Sequence, residues 1–242
     1  MGKVNVMIYV MSDLHGCLKE FLKMLDHIGF STNDELYIIG DVIDRGASPI
    51  KLLRLIMDTP NMHLILGNHE LMMRNSICNP SLSDKEKERF MKTEAVMQNR
   101  NVWLKNGGVV TERQYSKLKW EDKIKVYHYL NSLPMMKEVQ VQNTAYLLIH
   151  GGIYEGFKED YEEGNLSEDI LWSYFPRLNE EDVIIPGKTV VVGHTPTSCY
   201  GYDNKIISVG DKRLIDCGCV FGYSLGCLCL DDEECFYVKN WI

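Results

Sequence analysis

The 242-residue chain carries 26 Lys and Arg against 34 Asp and Glu, a formal charge of −8, with 45% hydrophobic and 25% charged residues. That balance excludes the broad basic footprint that grips a nucleic-acid backbone, and it suits an ordinary globular domain with a large core. No run of 18 apolar residues exists, which excludes a transmembrane helix, and we read residues 1–242 as one compact cytoplasmic α/β domain.

In chain order, Val4–Met11 is an apolar run too short to cross a bilayer. As a leader it would be cleaved beside Asp13-Leu14-His15, and Val6 stands where a myristoylation signal needs Ser or Thr. The run feeds Ser12-Asp13-Leu14-His15-Gly16. Leu18, Phe21, Leu22, Leu25 and Ile28 then mark one face of a helix that Gly29 can stop. Leu36–Ile39 feeds Gly40-Asp41-Val42-Ile43-Asp44-Arg45-Gly46, and Pro49 suits the first turn of a helix over Ile50–Met57. Leu64–Leu66 feeds Gly67-Asn68-His69-Glu70. Residues 75–133 are longer and more polar, with helical spacing in Trp120, Ile124, Tyr127 and Leu130; we expect a helical insertion packed over a sheet.

Two more apolar runs follow. Ala145–Ile149 feeds His150-Gly151-Gly152, and Thr189–Val192 feeds Gly193-His194-Thr195-Pro196. Short apolar runs ending in glycine-containing clusters read as buried strands that feed loops. The strand–helix–strand order at the start implies a mostly parallel sheet, and sites collect beyond the carboxyl ends of such strands. From Lys205 onward, short strands with turns at Gly210-Asp211 and Gly222-Tyr223 suggest a second, more antiparallel sheet. Cys217, Cys219, Cys227 and Cys229 lie in the strand-like stretches Leu214–Val220 and Ser224–Leu230, where alternation makes them small buried residues rather than a zinc knuckle. With no export signal, most of the eight cysteines are expected as reduced thiols.

The five clusters together offer three His, two Asp and one Asn to a common point. Carboxylate, imidazole and amide oxygen without thiolate suit Mn, Fe or Zn. Asp13 and His15, two apart in an extended segment, can point the same way, and Asp41 is a natural bridge. Asn68, His150 and His194 complete a second set. Two divalent ions roughly 3.5–4 Å apart can bind phosphate oxygens and acidify a shared water. His27, His63 and His128 fall outside these clusters and read as structural or exposed. Residues 155–182 carry ten acidic side chains against Lys158 and Arg177, which reads as a solvated acidic face.

The ordered motifs Asp-x-His-Gly, Gly-Asp-x-x-Asp-Arg-Gly, Gly-Asn-His-Glu, His-Gly-Gly and Gly-His-Thr-Pro, from Val10 to about Leu230, resemble the serine/threonine phosphoprotein phosphatase family of calcineurin-like metallophosphoesterases, above all its small bacterial and phage members. The resemblance implies a two-layer β-sandwich flanked by helices and a dinuclear centre, with Mn the expected metal. By matching positions, Asp13, His15 and Asp41 would hold one ion, and Asp41, Asn68, His150 and His194 the other. His69 would be the general acid with Asp44 orienting its ring, and Arg45 would bind phosphate.

One departure stands out. Small members usually carry Leu-Trp-x-Arg, whereas this chain reads Leu171-Trp172-Ser173-Tyr174, leaving Arg177 three residues on as the candidate second phosphate contact. The implied substrate is a phosphomonoester, phosphoserine or phosphothreonine in a protein, hydrolysed by a metal-bridging water. The alternative is a diadenosine tetraphosphate hydrolase of the same family. Those enzymes often have Asp where Glu70 stands and tend to lose the acid kept here as Asp44. A catalytically dead binding module is a third reading, against which all the motif residues are present.

Overall fold

The computed structural model describes residues 6–154, 156–180 and 183–240. Its core is a pair of packed five-stranded sheets. The first is ordered β10 (Cys235–Lys239), β9 (Ser224–Cys229), β1 (Ile8–Met11), β2 (Glu35–Ile39), β3 (Met62–Ile65). The second is ordered β4 (Met136–Val141), β5 (Thr144–Ile149), β6 (Lys188–Val192), β8 (Lys212–Leu214), β7 (Ile207–Val209). Strands β1, β2 and β3 run parallel, as do β5, β6 and β8. The carboxyl ends of both parallel trios carry the motif clusters.

Alternation along the strands explains why their sequences are apolar throughout. Val10, Ile39, Ile65, Leu148 and Val191 fill the space between the sheets. Their neighbours Met11, Leu36, Ile38 and Leu64 face helices instead, α1 (Leu18–His27) and α2 (Pro49–Met57) among them. On the far side, Leu147, Ile149, Val190 and Val192 pack under Phe157 of α8 (Phe157–Glu163) and under Ile170 and Leu171 of a 3-10 turn. With both faces covered, a polar side chain on either would need a buried partner.

Helices occupy the stretch expected to be helical: α4 (Asp84–Met91), α5 (Glu94–Trp103), α6 (Val109–Ser116) and α7 (Trp120–Ser132), with a π-turn over Leu104–Gly108. Trp103, Val126 and Leu130 join the helix-side core, while Leu22, expected on the buried face of α1, is exposed.

Three expectations are corrected. Gly67-Asn68-His69-Glu70 is not a loop: Asn68 opens helix α3 (Asn68–Ser76), with Gly67 as its N-cap. The strands after Lys205 do not form a sheet of their own. The hairpin β7–β8 joins the second sheet, while β9 and β10 return to the first beside β1. Strands β7 and β8 are three residues each and β9 and β10 six and five, and neither length nor local pattern names the sheet a strand will join. Cys217 and Cys219 are not in a strand, because β8 stops at Leu214 and Cys219 starts a 3-10 turn. They are nonetheless buried thiols, as are Cys227 and Cys229 on β9. Strand β4 had no sequence forecast; exposed Lys137 and Glu138 hide its pattern.

Candidate active site

The loops after β1, β2, β5 and β6, with the start of α3, meet at one buried point. Asp41 sits at its centre. Its Oδ2 lies 3.6 Å from His15 Nε2 and 3.8 Å from His69 Nε2, and its Oδ1 lies 3.4 Å from His150 Nε2. Two groups of ligand atoms are close enough to share an ion: His15, Asp41 and His69; and Asp41, His150 and His194. Asp41 alone belongs to both. Asn68 Oδ1 lies 2.9 Å from His150 Nε2 and 3.1 Å from His194 Nδ1, beside the second group. Asp13 Oδ1 is 3.9 Å from His15 Nε2, while its Oδ2 accepts from Ser12 Oγ and from the His194 backbone N–H at 2.9 Å. The first geometric group therefore holds His69 where the motif match places Asp13. Asp13 remains at the edge, tied to His194.

The surroundings suit cations. His15 Nδ1–H donates to the Ile43 carbonyl (2.8 Å) and His150 Nδ1–H to the Ile39 carbonyl (2.7 Å), which turns both Nε2 atoms inward. Metal-binding imidazoles are oriented in this way. The charges are discordant as they stand. Burial raises the Asp13 carboxyl to about 6. Burial opposes ionisation of Asp41, but His150, His69 and His15 around it hold its carboxyl well below the usual range. Burial works against a charged His150 too, yet Asp41 and Asp13 raise it to about 10, while burial and the neighbouring His150 lower His194 to about 4. Divalent ions would meet both carboxylates and leave the imidazoles neutral, so the residues present fit a metal pair.

The backbone is bent to make this convergence. Asp13, His15, Asp41, Asp44, Arg45 and His194 all have left-handed φ, six of nine such non-glycine residues among the described residues. At about 1–3 kcal/mol each, the sum is of the order of a domain's net stability. Hydrogen bonds between the loops hold them: His15 N–H donates to the Asp41 carbonyl (2.8 Å), Gly16 N–H to Val42 (2.8 Å) and Gly46 N–H to His15 (3.0 Å). Gly40 must be glycine, since a Cβ there would lie 2.5 Å from His150 Nδ1.

Glu70 was given no role by the sequence, yet it binds the loop from beneath. Its carboxylate accepts from the backbone N–H of Asp41 (2.8 Å), Val42 (2.9 Å), Ile43 (3.2 Å) and Gly67 (3.2 Å). Glu70→Gln puts an amide N–H against those donors. It is expected to cost about 1–3 kcal/mol, lowering the melting temperature by roughly 2–4 °C per kcal/mol. Thermal denaturation against wild type checks it; an unchanged melting temperature would discard the clamp.

Beside these ligand atoms His69 Nδ1–H donates to Asp44 Oδ2 at 2.6 Å, both residues fully enclosed. Arg45 reaches His15 Nε2 and lies 5.5 Å over the Phe221 ring. A cleft of about 460 Å³ opens above, lined by Arg45, His194, Asp216, Phe221 and Tyr223 among others. Arg177 is exposed beyond Phe175 and is not among the described residues that line this cleft. His27 and His128 are exposed, and His63 pairs with Glu35 at 2.5 Å. The sequence also missed Trp103 and Thr111, which touch Asp44; the Gly107-Gly108 pair inside a helical pattern was the available signal.

A buried cluster of imidazoles and carboxylates at the open end of two parallel strand trios is a candidate centre for divalent ions, and a family match makes the chain a phosphoesterase. The calcineurin-like phosphoesterase family matches residues 6–225, and the chain belongs to it. A symmetrical bis(5'-nucleosyl)-tetraphosphatase from Haemophilus ducreyi is 31% identical over 147 residues, 60% of this chain but 44% of the relative. The chain thus matches less than half of that relative's length. Serine/threonine-protein phosphatase 1 from Salmonella typhimurium is 24% identical over 90% of this chain and 89% of its own. Among solved structures, one provisionally assigned as a diadenosine tetraphosphatase superposes with a TM-score of 0.64 at 16% identity, covering 100% of this chain and 96% of its own. It shares the fold. No helix among the described residues is long and apolar enough to cross a membrane.

Proposed function

We propose that the chain is a bis(5'-nucleosyl)-tetraphosphatase, cleaving a dinucleoside tetraphosphate at this centre. The observation that carries the reading is the aromatic pair in the cleft. Phe221 is 54% exposed and Tyr223 46% exposed, and both share the cleft with Arg45 and His194. Exposed rings beside an anion site are platforms for nucleobases, and each stacked base contributes about 1–3 kcal/mol. The relatives named as tetraphosphatases point the same way. So does Tyr174, an exposed ring where small phosphatases usually have their second arginine.

In this reading Asp13, His15, Asp41, Asn68, His150 and His194 hold two divalent ions, with Mn as the expected metal. When bound, such ions supply Lewis acidity toward phosphate and an activated water. The chain's own residues do the rest. Arg45 offers its fork to two phosphate oxygens, and His69 Nε2 holds a proton for the departing oxygen. Arg177 is proposed for the more distal phosphates.

A second reading has its own observation. The enclosed His69–Asp44 pair is worth most when the leaving group is a strong base, such as the alkoxide of serine or threonine. A nucleoside diphosphate departs without needing that proton. Phosphoserine or phosphothreonine hydrolysis is therefore the alternative. Both readings are tested by assaying diadenosine tetraphosphate, aryl phosphate and phosphopeptides with Mn²⁺, for wild type, Phe221→Ala, Tyr223→Ala and Arg177→Ala. The expected result is fastest cleavage of the tetraphosphate. Each aromatic loss should lower its kcat/KM by about 5- to 150-fold and spare the aryl phosphate. Phosphothreonine peptide turned over faster than the tetraphosphate, with the aromatic variants unaffected, would overturn the first reading in favour of the second.

A further inference from the structure

We infer that the helical segment over α5 and α6 is a clamp for the proton donor, with Trp103 and Thr111 as its positioning residues. The inference rests on the reading of His69 as general acid, and it holds for either substrate class.

Asp44 is fully enclosed, and its carboxylate is held from three sides. Oδ2 accepts from His69 Nδ1–H at 2.6 Å and from Trp103 Nε1–H at 2.9 Å. Oδ1 accepts from Thr111 Oγ1–H at 2.5 Å, with Trp103 Nε1 at 3.1 Å. Thr111 Oγ1 in turn accepts from the Asp44 backbone N–H at 2.9 Å, so one hydroxyl grips both the backbone and the carboxylate of that residue. Asp44 needs holding, since its φ is +73°.

The local geometry is built for this contact. Residues eight apart in a regular α-helix are separated by about 12 Å along the axis, too far to meet at one carboxylate. The π-turn over Leu104–Gly108, kinked at Gly107, interrupts the regular helix between Trp103 and Thr111, and both side chains reach the Asp44 carboxylate. Gly107 takes φ +102°, and its carbonyl accepts from the Arg45 backbone N–H at 3.1 Å. A Cβ on Gly107 would lie 2.7 Å from Arg45 Cγ, and one on Gly108 would lie 2.6 Å from the Trp103 ring. The same turn thus seats Arg45 and Asp44, the phosphate fork and the orienter of the acid.

Burying an indole N–H and a hydroxyl requires a partner of some kind, and a merely structural role predicts lost stability alone. Positioning predicts more. A carboxylate fixed on three sides fixes the plane of the His69 ring and hence the direction in which Nε2 delivers its proton. Its loss should be felt only where the leaving group needs protonation.

The test uses Trp103→Phe, Thr111→Val and Thr111→Ser in the full chain with Mn²⁺, on phenyl phosphate and dinitrophenyl phosphate. Trp103→Phe and Thr111→Val should each lower kcat on phenyl phosphate about tenfold or more, a part of the roughly 10²–10⁴ that the whole acid contributes. Turnover of dinitrophenyl phosphate should stay within about twofold, with KM and metal content unchanged, and Thr111→Ser should restore the rate. Equal losses on both esters, or none on either, would overturn the clamp. Should Trp103→Phe fail to fold, the near-isosteric Thr111 pair alone decides. His69→Asn is the control. If it shows the leaving-group dependence and the clamp variants do not, the inference falls while the acid reading stands. If His69→Asn shows none, the acid reading falls and the clamp with it.

Discussion

Asp41→Asn is expected to lose both metal ions together and to lower kcat/KM by about three orders of magnitude or more on any phosphate substrate. Asp41 is the one residue common to both groups of ligand atoms, with Oδ1 facing His150 and Oδ2 facing His15 and His69. A neutral amide keeps the shape and can still accept the His69 backbone N–H that Oδ1 takes at 3.0 Å. It cannot bridge two cations, and its NH₂ would face one set of imidazole nitrogens. Several kcal/mol of charge stabilisation then vanish, which is about a thousandfold in rate. Elemental analysis of the purified variant and an aryl phosphate assay decide it. Full metal content with normal turnover would sink the dinuclear assignment.

His69→Asn is expected to slow phenyl phosphate hydrolysis by roughly 10²–10⁴ while leaving metal content nearly intact, the mark of a general acid rather than a metal ligand. The two roles come from different atoms. Nδ1 is committed to Asp44, whereas Nε2 lies 3.8 Å from Asp41 Oδ2, close enough to count among the first group of ligand atoms. For a general acid the loss should shrink on dinitrophenyl phosphate with metal content retained. For a ligand, metal content should fall and both esters should suffer alike. Measuring both in one preparation separates them, and the first outcome is the one expected, because the Asp44 contact orients a donor and Asp13 stands ready at the other position.

Much of the site was legible because its residues sit immediately after apolar runs. A run buried on both faces announces a strand, and the polar cluster that ends it must lie at the strand's open end. This is why Asp13, Asp41, Asn68, His150 and His194, far apart in the chain, could be named together. Glu70 shows where that reasoning stops. It lies inside a motif, but besides that of its own Gly67 it accepts three backbone N–H groups, of Asp41, Val42 and Ile43, from a segment that only the fold brings near. Trp103 and Thr111 show it more sharply. A Trp in a helical pattern reads as core, and nothing local tells that its N–H points at a carboxylate 59 residues earlier.

The sequence by itself determined the parallel start of the first sheet, the placing of the motifs at the ends of apolar strands and the chemistry of the ligands, because periodicity and residue type are local properties. Only the tertiary structure decided which sheet each late hairpin joins, that His69 rather than Asp13 falls in the first group of ligand atoms with Asp41, and that aromatic side chains from the Phe221–Tyr223 turn border the cleft. Those are outcomes of long-range packing: an apolar strand's own pattern does not say which neighbours it will pair with, and the choice is made by the whole core it completes.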